Sequence, residues 1–258
     1  MFKQISCGLA LVGGLTLAAA EMANAQQRND QFSKPKNLKV LPEDISSSDL
    51  RETMRQFSFA TGIRCSGCHV AKEGAPLSDW NFKSDEKEQK RIAREMLKLT
   101  AIINETVTEI DDVDAAQAVK VRCMTCHRGI EQPKLIQDVL DEYKVKNDAT
   151  GAVTHYREIR EIYYGSHAYD FTPFTLGEYA HTAQVDGATE FSFALHDLNL
   201  ELHPDDDRPY VAWGNTLMQT EDFAGALKAY QKAVELNPDA AFYRQLVERA
   251  ETTIAAQE

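Results

Sequence analysis

Cys65-Ser66-Gly67-Cys68-His69 and Cys123-Met124-Thr125-Cys126-His127 are two copies of one five-residue motif. In each copy two cysteines stand three positions apart, and a histidine follows the second cysteine. The copies begin 58 residues apart, much farther than the ~15–20 residues between the halves of a zinc ribbon. One copy alone would be weak evidence, whereas two copies indicate that the same chemistry occurs twice.

This spacing favours covalent attachment of haem. Two cysteines separated by two residues can form thioethers to the two vinyl groups on one haem edge, and the adjacent histidine can then ligate the iron. Zinc binding and thiol chemistry are the alternatives, and the closing histidine in both copies argues against them. The sequence therefore predicts two haem c groups, with these attachment and iron-ligand residues: Cys65, Cys68 and His69 for the first haem, and Cys123, Cys126 and His127 for the second.

The N-terminus has the pattern of a cleaved export signal. Lys3 precedes an apolar run over residues 9–20, and Ala23-Asn24-Ala25 is a small-x-small cleavage site. The run is shorter than the ~20 residues of a membrane-spanning helix, and no later segment is predicted to cross a membrane. We expect residues 1–25 to be removed and the mature protein to be periplasmic or otherwise exported.

The charge is distributed unevenly along the chain. Residues 26–140 contain 18 basic and 18 acidic residues, whereas residues 141–258 contain 9 basic and 21 acidic residues. The net charge of -12 thus belongs to the second half. Such a surface repels nucleic acid and anionic lipid, so neither is expected as a partner. The acidic surface serves either solubility, which we favour, or a basic partner.

The residues around the motifs predict a mainly α fold. Asp49 and Glu52 form a capping-box pattern that would open a helix, and Gly62 would end that helix just before the first motif. A longer helix is predicted to start near Asp85. Its apolar stripe contains Ile92, Met96, Leu99 and Ile103.

A repeat with a period of 34 residues occupies the C-terminal part. Glu201-Leu202-His203-Pro204-Asp205 recurs as Glu235-Leu236-Asn237-Pro238-Asp239, and 34 residues is the length of a tetratricopeptide helix pair. The second copy carries the expected small, aromatic and proline residues, whereas the first places His196 where an aromatic residue is usual. A last helix over 241–256 would cap the stack. We predict a dihaem cytochrome c domain over 26–135, a connecting segment over 136–170 and tetratricopeptide-like repeats over 171–258.

Methionines are the candidates for the sixth ligand of each iron. After removal of the signal four methionines remain, and Met124 lies inside an attachment motif. Met54 and Met96 each lie on the apolar face of a predicted helix that precedes a motif. A methionine in that position is either an iron ligand or an ordinary core residue, and position alone leaves both open.

Several segments resemble the cytochrome c subunit of photosynthetic reaction centres and the wider group of exported cytochromes that share its domain. The resemblance covers about residues 36–134, and these segments carry it: 38–45, 54–65, 94–96 and 126–129. It implies helix-plus-motif units that each donate an axial methionine, here Met54 for the first iron and Met96 for the second. Met54 lies 11 residues before Cys65, a spacing the family uses, and Met96 lies 27 before Cys123, which is longer than the family pattern.

The chain also departs from that family. The reaction-centre subunit generally has four haems, whereas this chain has two motifs and a repeat tail, so a photosynthetic role does not follow. With histidine and methionine on each iron, the expected function is one-electron transfer between a redox donor and acceptor. The alternatives are a dihaem enzyme such as a peroxidase, or a scaffold whose repeat tail docks a partner or self-associates. Arg64 and Arg122, each one residue before a first cysteine, are candidates to pair with haem propionates.

Overall fold

The computed structural model describes residues 31–110 and 117–257. The chain divides into two units between Pro133 and Lys134. Within the described ranges both units are helical, and the only extended pairing is one antiparallel bridge, from Val70 to Asn81. The predicted mainly α fold is therefore confirmed. The predicted export signal lies outside the described residues, and none of the described helices is both long and apolar enough to span a bilayer.

The first unit places one longer helix before each motif. In chain order the helices are α1 (Ser47–Thr61), α2 (Cys65–Cys68), α3 (Glu88–Ile110) and α4 (Cys123–His127), with a 3-10 turn over Leu77–Asp79. The two attachment motifs form the short helices α2 and α4.

The first helix begins earlier than the sequence pattern predicted. The side chain of Ser46 accepts a hydrogen bond from the backbone N–H of Asp49 at 3.1 Å, so Ser46 is the N-cap of α1. The expected capping box of Asp49 and Glu52 is wrong, because Asp49 already lies in the first turn of the helix. There its carboxylate is favoured by the positive end of the helix dipole.

A backbone contact joins the end of α1 to the residues that follow the second motif. The predicted helix end at Gly62 is confirmed, and this glycine has a φ of 74°. The N–H of Gly129 donates to the carbonyl of Ala60 at 2.8 Å. A Cβ on Gly62 would lie only 2.6 Å from the carbonyl oxygen of Gly129. Both the left-handed φ and the close approach therefore require glycine at position 62.

The second unit, which we also call the repeat unit, is a stack of seven helices of 9 to 15 residues within the described residues 134–257. They are α5 (Ile136–Lys144), α6 (Ala149–Tyr163), α7 (Pro173–Val185), α8 (Thr189–Leu202), α9 (Asp207–Gln219), α10 (Phe223–Leu236) and α11 (Ala241–Ala255). The pairs α7–α8 and α9–α10 match the two sequence repeats, and α11 packs on α10. Residues 136–170 contain α5 and α6, which share one apolar core with α7 and α8.

The repeat positions explain how the helix pairs pack. A Cβ on Gly214 would lie 2.4 Å from the ring of Tyr230, so α9 and α10 approach closely at this small residue. In the first pair the atypical His196 is fully buried, and its Nε2 lies 2.8 Å from Oγ1 of Thr216. Burial lowers the pKa of His196 to about 3, with a further contribution from His181. The histidine that replaces the usual aromatic residue is thus a neutral core residue.

Candidate haem-binding site

One cavity of the first unit brings together the four residues predicted for the first haem. Met54, Cys65, Cys68 and His69 all line this cavity, whose volume is about 1130 Å³. Much of the remaining lining is apolar and comes from Leu50, Phe57, Trp80, Phe82 and Leu97. A cavity of this size that has a substantial apolar part in its lining is typical of a site for a large organic cofactor.

The chemical state of these residues suits iron ligation and thioether formation. Burial lowers the pKa of His69 to about 4, with smaller contributions from Lys90 and Arg94, so at neutral pH the imidazole is uncharged and can ligate a metal. Its Nδ1 is buried and has no hydrogen-bond partner in the described part of the chain. Cys65 and Cys68 form no disulfide with each other or with another described cysteine. Burial also raises the pKa of the Cys68 thiol.

A cluster of three cations around one carboxylate lies beside the cavity. Oδ2 of Asp85 is 2.6 Å from Nζ of Lys39, and its Oδ1 is 2.9 Å from Nη1 of Arg94 and 3.5 Å from Nζ of Lys90. The hydrogen bond from Lys39 is the main cause that holds the pKa of Asp85 far below its ordinary value, with further bonds from Arg94 and Asn37. The cluster therefore has two positive charges in excess.

Two of these cations are partly buried in the cavity wall. The side chains of Lys90 and Arg94 are 12% and 14% exposed, and both residues line the cavity. Lys90 donates to the carbonyls of Phe82 and Ser84 at 2.7 Å each, which compensates for its desolvation. Burial lowers the pKa of Lys90, and Asp85 opposes that shift. Lys90 and Arg94 therefore contribute positive charge to a cavity whose lining contains fewer carboxylates than cations.

The arginines named from the sequence fall in different places. Arg64 lines the cavity and is exposed. Arg122 is the N-cap of α4, and its backbone N–H donates to Oγ1 of Thr125 at 3.0 Å. Sequence reasoning missed Lys90 and gave Arg94 no role of its own, although Arg94 belongs to a segment that carries the resemblance.

The second motif is oriented by two local hydrogen-bond systems. Nδ1 of His127 lies 3.0 Å from the carbonyl oxygen of Ile130, which leaves Nε2 as the nitrogen for a metal. The side chain of Asn104 accepts from the N–H of Val121 at 2.8 Å and donates to its carbonyl at 2.9 Å. This pair of bonds fixes α3 against the residues that enter the motif.

Met96 does not line the cavity that contains the residues of the first motif. Ala93 and Leu97 line that cavity from one side of α3. A different side of the helix carries Ile92, Met96 and Leu99. These three residues are 50%, 37% and 46% exposed, respectively. Helix α3 therefore presents one face to the first site and a separate, uncovered apolar strip that contains the predicted second methionine.

Comparison with known families identifies the first part of the chain. The model of the photosynthetic reaction centre cytochrome C subunit matches residues 15–191. The chain belongs to this family. The match spans both motifs and extends beyond the segments that carry the resemblance in the sequence. A tetratricopeptide repeat model matches residues 208–240, and no curated protein matches the chain. Membership in the reaction centre cytochrome c subunit family makes the protein a haem-based electron carrier.

Proposed function

We propose that this protein is an exported dihaem c-type cytochrome that passes single electrons between two redox proteins. The convergence of Met54, Cys65, Cys68 and His69 on one cavity carries this proposal. These residues are 15 positions apart in the sequence at most. They lie on α1, on α2 and directly after α2, and the fold makes all four line a common space.

The residues of the first site fit a haem. Cys65 and Cys68 would hold the haem through thioethers, and His69 and Met54 would ligate its iron. A haem also has two propionates, and partly buried carboxylates need compensating charge. The excess of two positive charges in the cluster around Asp85 provides it. When bound, the haem supplies a one-electron iron centre, and two protein ligands leave no open position on it for a substrate.

The second site rests on the second motif and on α3. Cys123 and Cys126 would hold the haem, and the contact between His127 and Ile130 directs Nε2 of the histidine toward an iron. The uncovered strip of Ile92, Met96 and Leu99 supports Met96 as the axial ligand, because an apolar helix face of this kind would be covered by a haem.

The backbone contact of Ala60 with Gly129 supports a short internal path between the two proposed haems. Ala60 lies five residues before Cys65, and Gly129 lies two residues after His127. The segments that carry the two motifs are therefore joined, within one unit, by a backbone hydrogen bond to the buried Ala60. We propose that electrons enter at one haem and leave at the other.

The test combines intact mass with optical spectroscopy of the mature protein. The mass is expected to exceed that of the polypeptide by two haems, and the ferric spectrum to show the far-red band of methionine ligation. Met54→Leu and Met96→Leu should each remove part of that band. Met218→Leu is the matched control, because Met218 packs in the repeat unit. Full band intensity in either of the first two variants would contradict the ligand assignment, and a high-spin haem would favour an enzyme.

The export and the repeat tail have their own tests. Cleavage after Ala25 predicts that the mature chain begins at Gln26, which N-terminal sequencing measures.

Tetratricopeptide repeats commonly bind proteins. Phe174 and Phe242 are 61% and 60% exposed, at the second residues of α7 and α11. We propose protein docking or self-association through this unit. Loss of partner binding or of the native oligomeric state in Phe174→Ser and Phe242→Ser would support it, and no change would contradict it.

A further inference from the structure

The cavity of the first haem is strongly basic in an acidic protein. The chain has a net charge of -12, and the residues from 134 onward contain 22 acidic and 10 basic residues. In contrast, the cavity is lined by seven basic residues and by a single acidic residue, Asp79. The local charge at this site is therefore opposite in sign to the charge of the whole protein.

The charges of the two partly buried cations, Lys90 and Arg94, are balanced by groups in the proposed haem site. Lys90 and Arg94 pair with Asp85, and the positive excess of that cluster matches the two propionates of a haem. The remaining basic residues lie nearer to solvent. Lys34, Lys36 and Lys83 are exposed, and none forms an ion pair with a described residue of the first unit. Their charge is therefore not neutralised within that unit.

These lysines are held at the cavity by a specific arrangement. Nδ2 of Asn37 donates to the carbonyl of Lys83 at 2.6 Å and to Oδ1 of Asp85 at 2.8 Å. Nη2 of Arg94 donates to the carbonyl of Asn37 at 3.2 Å. The bonds fix the segment with Lys34, Lys36 and Lys39 beside the segment with Lys83. We call Lys34, Lys36 and Lys83 the lysine rim.

We infer that the lysine rim is the docking surface for an acidic one-electron redox protein, which exchanges electrons with the first haem. This inference rests on the proposed function of that site. A cluster of like charges at a cleft steers an oppositely charged partner and raises its association rate by ~10–10³-fold, an effect that salt suppresses. A partner selected by the net charge of the protein would be basic, whereas the rim selects an acidic one.

The test uses the full mature chain with its haems and a flavodoxin, an acidic one-electron protein, as the probe. One electron passes from the reduced flavodoxin to the ferric haem, so the flavodoxin is oxidised and the haem is reduced. The rim variant is Lys34→Gln, Lys36→Gln and Lys83→Gln. The control variant, Lys146→Gln, Lys228→Gln and Lys232→Gln, removes the same charge from the second unit. Lys39 is left intact because it bonds to Asp85.

Two measurements are made at low and at high salt. They are the stopped-flow rate of haem reduction and, with both proteins oxidised, the affinity from chemical-shift changes of the flavodoxin amides. At low salt the rim variant should react about tenfold more slowly and bind correspondingly more weakly, while the control stays near the unaltered protein. At high salt the difference should disappear. Equal losses in both variants, or no loss in the rim variant, would overturn the inference.

Two further observations separate this inference from its alternatives. Vesicles containing phosphatidylglycerol test an anionic membrane as the occupant. Rim-dependent vesicle binding together with unchanged flavodoxin kinetics would overturn the docking of a protein. The optical spectrum and haem count are measured first for every variant. If the unaltered protein lacks the first haem, the proposed function itself fails, whereas a full haem count with salt-independent kinetics rejects the lysine rim alone.

Discussion

The two units of this chain differ in what fills their interiors. In the second unit 22 apolar residues are buried, among them Tyr156, Tyr230 and Phe191. In the described part of the first unit the buried apolar residues are Leu50, Ala60 and Ile130. The first unit instead surrounds a large cavity and exposes apolar side chains on α3. The repeat unit builds its core from its own side chains, whereas the proposed haems would complete the interior of the first unit.

The same contrast extends to charge. The second unit carries the acidic excess of the chain on its surface, which favours solubility. The first unit is balanced in total but concentrates cations at one cavity. Composition averaged over a whole chain therefore describes the surface of the repeat unit and not the surroundings of the functional site.

The largest expected effect comes from preventing the attachment of the proposed first haem. In Cys65→Ala/Cys68→Ala the first unit should lose most of its cooperative structure, because no side chains would occupy the cavity in place of the haem. The second unit should keep its own thermal transition, since its core is made of side chains. Calorimetry and amide hydrogen exchange measure both units in the full chain. Unchanged amide protection of the first unit in this variant would contradict the claim that a haem fills its interior.

The second effect is a pH dependence of the repeat unit. His196 has a pKa of about 3 in the folded state, below its ordinary value of 6.5. Its contribution to stability is therefore complete above pH ~6.5 and is lost as the pH falls from there toward 3. His196→Phe restores the usual aromatic residue, and its melting temperature should fall less over this range. Parallel curves for the two proteins would show that His196 does not limit acid stability.

A smaller effect is expected from filling the contact between α9 and α10. Gly214→Val places a side chain against the ring of Tyr230 and should lower the free energy of unfolding of the repeat unit by ~1–3 kcal/mol. The haem spectrum should not change. Ala224→Val on the exposed face of α10 is the control and should stay within ~0.5 kcal/mol. Equal effects of the two substitutions would contradict the close packing at Gly214.

The smallest effect concerns the cap of α1. Ser46→Ala removes the side-chain acceptor of the Asp49 N–H and should destabilise the first unit by ~1 kcal/mol. Ser47→Ala lies one residue later and makes no cap bond, so it should have little effect. The comparison is made by denaturant unfolding monitored at the haem. The reverse order of the two variants would place the cap elsewhere.

The sequence predicts the parts of this molecule that depend on local patterns. The spacing within each motif, the glycine at the end of α1 and the 34-residue repeat each reflect constraints that act over a few turns of chain. The cap at Ser46 was missed because three consecutive serines offer equivalent acceptors. The cluster around Asp85 was missed because Lys39 lies 46 residues away, and only tertiary packing brings the two together. The buried His196 was recognised as atypical, but its bond to Thr216 requires the neighbouring repeat.

A redox titration of the mature protein, followed by optical spectroscopy, tests whether this cytochrome carries two methionine-ligated haems. We expect each chain to take up two electrons at two low-spin haems and both ferric haems to contribute to the far-red methionine band. Uptake of one electron or none, or a high-spin haem that persists in the ferric state, would contradict it.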